Sequence, residues 1–113
     1  MKSSHNIQRR RFPRQRIEAQ VGVLKQSSFM IEKALEVSEG GMLLQSSQKM
    51  EIGQQLEVRF FLPNGAFVCA QSEVAYLLKP EPHYAFAGLR FTEVSHEVQV
   101  SIRCFVQKSH SEI

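Results

Sequence analysis

Between positions 55 and 78 the chain alternates apolar and polar residues on both sides of the triplet Pro63-Asn64-Gly65. Leu56, Val58, Phe60 and Leu62 precede the triplet; Val68, Ala70, Ser72, Val74, Tyr76 and Leu78 follow it. A period of two places each set on one face of an extended strand, and Pro63-Asn64-Gly65 is the strongest hairpin signal in the chain. Two antiparallel strands meet here, and the fold must be built around them.

The flanking segments extend the pattern. Ile17, Ala19, Val21 and Val23 alternate with Glu18, Gln20 and Gly22, and Phe29 to Val37 is a second strand-like run after a short turn at Ser27-Ser28. Ser38-Glu39-Gly40-Gly41 forms a turn before the apolar run Met42-Leu43-Leu44. Lys79-Pro80-Glu81-Pro82 interrupts the long strand that ends near Leu78, and Tyr84, Phe86, Leu89 and Phe91 make the next, with Gly88 marking a bulge. Only the end has helical spacing: Val94, Val98, Ile102, Phe105 and Val106 share one face, Ser95 can cap the start, and Glu97 suits its positive end. In 113 residues this makes a single, mainly β domain. The expected architecture is a six-stranded antiparallel β-barrel with a C-terminal α-helix over one opening. Expected boundaries are a flexible tail at 1–8, an arginine arm at 9–16, a barrel at 17–92, a helix at 95–108 and a tail at 109–113.

Several classes are disfavoured. No stretch approaches the roughly 18 apolar residues of a membrane span, and the polar start lacks a signal-peptide core, so the expectation is a cytoplasmic protein with no membrane insertion. Cys69 and Cys104 lie in unlike contexts and read as small buried hydrophobes. All 11 acidic residues are Glu, and His5, His83, His96 and His110 share no ligand spacing, which argues against a metal or other cofactor. Glu73, Lys79 and Arg90 read as scattered charges, with no base, nucleophile and orienting group in a workable arrangement, so no enzyme is visible.

Charge is distributed unevenly. Lys2, Arg9, Arg10, Arg11, Arg14 and Arg16 stand in the first sixteen positions with no carboxylate among them, while the other 8 of the 14 basic residues face all 11 acidic ones. The first sixteen residues therefore carry +6 and the rest of the chain −3. Guanidinium groups grip phosphate in a two-pronged geometry and also match the O6 and N7 acceptors of guanine. The remaining edge of guanine presents N–H donors that need acceptors, such as a carboxylate and a hydroxyl. Glu36 and Ser38, two apart in an extended segment, point to one side, and the glycines after them let a flat base approach.

This combination resembles the PilZ family of bacterial cyclic di-GMP receptors, which carries an RxxxR motif, often extended to RRxxxR, and a later (D/N)xSxxG motif. Arg9-Arg10-Arg11-Phe12-Pro13-Arg14 places Arg9, Arg10 and Arg14 in the first motif. Glu36-Val37-Ser38-Glu39-Gly40-Gly41 matches the second at Ser38 and Gly41 and departs from it at Glu36. Val58 to Pro63 and Gly88-Leu89-Arg90-Phe91 also resemble strands of the family. The resemblance implies that Arg9, Arg10 and Arg14 engage phosphate and guanine of cyclic di-GMP, that Glu36, Ser38 and Gly41 form the barrel side of the site, and that the arm orders on binding. It further implies an unidentified protein effector as the output. The competing readings are a PilZ-like adaptor that no longer binds nucleotide, and a small basic nucleic-acid-binding barrel. The latter is disfavoured by the acidic body and by the lack of aromatic residues interleaved with basic ones.

Overall fold

The computed structural model describes residues 12–78 and 85–111. Six strands precede one helix: β1 (Gln15–Lys25), β2 (Ser28–Ser38), β3 (Gly41–Ser46), β4 (Gln55–Phe61), β5 (Phe67–Leu77), β6 (Ala85–Glu93) and α1 (His96–Ser111). The Asn-Gly turn joins β4 to β5 as its sequence requires. Gly65 has φ of 94°, its amide donates to the Leu62 carbonyl at 2.8 Å, and the Asn64 side chain accepts from the Ala66 amide at 3.1 Å. All neighbouring strands are antiparallel, in the order β1-β2-β3-β6-β5-β4, and β4 pairs back onto β1 through Val21 and Phe60. Closure gives each of the six described strands a paired neighbour on both sides.

The interior is filled by the apolar phase of each strand, including Val21, Val37, Leu44, Val58, Val68 and Val74, none more than 1% exposed. The helix begins as a capped end should, with Ser95 Oγ accepting from the Val98 amide at 3.2 Å. It lies against β1, β2 and β5, and its Ile102 and Val106 join the same core at 0% and 2% exposure. Burial of aliphatic side chains of this size contributes about 1.5–3 kcal/mol each, which holds the helix to the barrel.

Two bulges decide what the outer surface presents. In β2, Ala34 pairs with Leu44 but Glu36 pairs with Leu43, so Leu35 is an extra residue. Glu32 and Ala34 are buried before it and Val37 after it; the phase has switched, and Glu36 and Ser38 point outward. In β5, Val74 pairs with Leu89 but Tyr76 pairs with Gly88, which makes Ala75 the extra residue. The expectation that Tyr76 and Leu78 share the inward face with Val74 is thereby corrected: both are exposed, and Leu77 packs on the core instead. The bulge expected at Gly88 belongs to the opposite strand, and β6 keeps its alternation from Ala87 to Phe91, with Ala87 and Leu89 buried and Phe91 packed behind them, before a shift of its own at Thr92.

The cysteine reading is also corrected, because both thiols are exposed. Cys69 lies in the outward phase between buried Val68 and Ala70, and Cys104 falls off the Ile102–Val106 stripe.

Candidate ligand-binding cleft

The two bulges flank a cleft of about 780 Å³ on the outside of the barrel. Across the sheet, Arg14, Glu36 and Ser38 line it on one side, Gly41 and Leu43 in the middle, and Arg90 and Tyr76 on the other. Arg14 reaches it from the residue before β1, where its guanidinium lies 3.3 Å from Glu36 Oε1. Just upstream, the Phe12 ring covers Gly40, so closely that a Cβ at that glycine would come within 3.1 Å of it.

The β2–β3 turn is fixed on three sides. Ser38 Oγ accepts from the Gly40 amide at 3.2 Å and keeps a second lone pair and its own proton for a ligand. The Gly40 carbonyl accepts from the Phe91 amide at 2.9 Å, tying the turn to β6. Glu39 turns away from the cleft toward the helix and receives both Nε and a terminal nitrogen of Arg103, each at 3.0 Å. That pairing, first by its hydrogen bond and then by the carboxylate's charge, raises the Arg103 pKa further above its ordinary value.

Each glycine of the cleft has a steric reason. A Cβ on Gly41 would stand 1.9 Å from the Leu89 carbonyl oxygen, so only glycine lets β3 pair with β6 at this point. A Cβ on Gly88 would enter the Tyr76 ring, which lies directly over it. The ring is 37% exposed and offers its free surface to the cleft.

Four of the residues singled out in the sequence, Arg14, Glu36, Ser38 and Gly41, thus converge, whereas Arg9 and Arg10 lie outside the described residues. Sequence reasoning missed Tyr76 and Arg90. It also read Glu73 and Arg90 as unrelated charges, yet they face each other across β5 and β6 and are hydrogen bonded. The available signal was Gly88, a glycine in mid-strand that calls for a large neighbour over it. Guanidinium, carboxylate, hydroxyl and aromatic ring around one cleft suit a ligand with a planar, donor-rich base and an anionic group.

Residues 8–108 match the family described as the PilZ domain, and the chain belongs to that family of ligand-binding receptor and adaptor domains. The barrel is shared with solved PilZ structures. The PilZ domain with c-di-GMP of YcgR from Escherichia coli superposes with a TM-score of 0.71 at 14% identity, over 92% of this chain and 93% of that one. The Bacillus subtilis inhibitor of motility MotI/DgrA gives 0.82 at 14% identity over 92% and 52%, and the K. pneumonia MrkH–c-di-GMP complex gives 0.73 at 15% over 92% and 53%. The chain therefore spans about half the length of MotI and MrkH. No curated protein sequence matches it.

Proposed function

We propose that this chain is a cytoplasmic cyclic di-GMP receptor with no catalytic activity of its own, which passes the signal to a protein partner. The observation that carries this reading is the meeting of Arg14, from the arginine motif, with Glu36, Ser38 and Gly41 at one cleft. In this reading Arg10 and Arg14 take phosphate and the guanine Hoogsteen edge, and Arg9 adds a further contact. Glu36 and Ser38 accept from the guanine N1 and N2 donors, and ligand binding orders the arm across the cleft. Neighbouring PilZ structures solved with c-di-GMP support the ligand class. Calorimetric titration tests it: saturable heat with cyclic di-GMP is expected, and no heat at tens of micromolar ligand overturns the reading. Arg14→Ala and Arg10→Ala are expected to weaken binding far more than Lys2→Ala.

A second reading has one observation in its favour. Glu36, one methylene longer than the family's Asp, already occupies the Arg14 guanidinium. If that contact excludes the nucleotide, the domain is an adaptor that acts by protein contact alone. Binding gained by Glu36→Asp, where the natural protein has none, would favour the adaptor.

A further inference from the structure

Glu39 is a carboxylate in the turn that separates Ser38 from Gly41, beside a cleft proposed to take a phosphodiester ligand. Left unpaired there, its charge opposes any anion that approaches Ser38. It does not stand unpaired. Its side chain is only 9% exposed and is held by the two nitrogens of Arg103, which comes from the helix 64 residues later.

We infer that Arg103 is a positioning residue for anion binding, which masks and turns away the Glu39 carboxylate and so makes the ligand site dependent on the seating of α1. The inference rests on the receptor reading above. Its physical content is a shared equilibrium. With α1 docked, Glu39 is neutralised and the cleft accepts an anion; with α1 lifted, a nearly buried carboxylate loses its partner and must turn to solvent beside the cleft. Whatever α1 gives the ligand, the ligand returns to α1, because coupling between two sites is reciprocal. Nucleotide binding therefore holds the helix onto the barrel. A partner protein that captures α1 competes with the nucleotide, although the two never touch.

The remaining charged groups at the cleft do not compete for this role. Among the described residues Glu36 faces Arg14 and Glu73 faces Arg90, both within the barrel and the segment leading into it, whereas the pair of Glu39 joins the barrel to the helix. The apolar contacts of Ile102 and Val106, which also hold the helix, sense no charge in the cleft.

The test is a double-mutant cycle read by cyclic di-GMP titration of the full chain, with thermal melting to confirm folding. Arg103→Ala is expected to weaken binding about fivefold or more, with a steeper salt dependence, and the double variant E39Q/R103A is expected to recover most of the loss. Glu39→Gln alone is expected to keep or improve affinity, which remains informative should R103A fail to fold. Amide exchange in α1 is expected to slow when nucleotide binds the natural chain and to be indifferent to nucleotide in E39Q. If the natural chain binds but R103A binds equally well, or E39Q lowers affinity, the inference is wrong and the receptor reading stands. If the natural chain does not bind at all, both fall.

Discussion

Arg14 and Glu36, 22 positions apart in the chain, meet at 3.3 Å with each side chain about one-third exposed. An ion pair this open to water contributes about 0–1 kcal/mol to stability, so the conservation of the fold cannot be its main effect. Its consequence is for the ligand, since both groups are already aimed at one cleft. Glu36→Ala is therefore expected to leave the melting temperature nearly unchanged while lowering cyclic di-GMP affinity by about 1–3 kcal/mol, the range of a good bidentate base contact. Calorimetry and thermal melting on the same preparation check this. A variant that loses stability and affinity together would assign Glu36 to the fold instead.

Gly41 and Ser38 belong to the same motif but should fail in different ways. A Cβ at Gly41 collides with the Leu89 carbonyl, and backbone cannot step aside as a side-chain tip can. Gly41→Ala is expected to cost about 3 kcal/mol of stability, as severe overpacking does, whether or not ligand is present. Ser38→Ala removes one hydrogen bond at a partly exposed turn, costs about 1 kcal/mol, and shows its main effect in the titration. Denaturant melts of the two variants without ligand separate these roles.

The sequence carried the barrel, the hairpin turn and the terminal helix because each rests on local periodicity or turn chemistry that the structure keeps, as at Leu56 to Leu62 and Val94 to Val106. It singled out Arg14, Glu36, Ser38 and Gly41 by motif spacing, and the structure brings these four to one cleft. Tyr76 was lost for a physical reason: a single inserted residue, Ala75, inverts every side chain after it, and alternation in one strand cannot reveal an insertion defined by its partner. The same device at Leu35 places Glu36 and Ser38 outside rather than inside, so their outward face was legible only from their chemistry. The Glu39–Arg103 contact spans too much chain for any pattern to disclose it.

Tyr76 gives the most direct check of that correction. Turned outward over Gly88, its ring presents a flat surface to the cleft opposite Glu36 and Ser38. A base stacked on such a ring contributes about 1–3 kcal/mol by alanine substitution, so Tyr76→Ala is expected to weaken nucleotide binding by that amount and Tyr76→Phe to leave it nearly intact. Gly88→Ala, which must push the ring out of place, is expected to resemble Tyr76→Ala in the titration. An inward Tyr76, by contrast, would make Tyr76→Ala a core cavity with a large loss of stability.

The thiols offer a test that needs no ligand. Cys69 stands on the outer face of β5, where its thiol donates to Glu57 at 3.6 Å, and Cys104 lies on α1 beside the buried stripe but not in it. Both are expected to react with a thiol reagent in the native protein, without denaturant. Cys104→Ser is then expected to be within about 0.5 kcal/mol of neutral, as surface substitutions are, whereas Ile102→Ala, two positions away and fully buried, is expected to cost about 2–5 kcal/mol. Labelling of Cys104 only after unfolding would mean that α1 is rotated about its axis, and would remove Ile102 and Arg103 from the places that the core and Glu39 require of them.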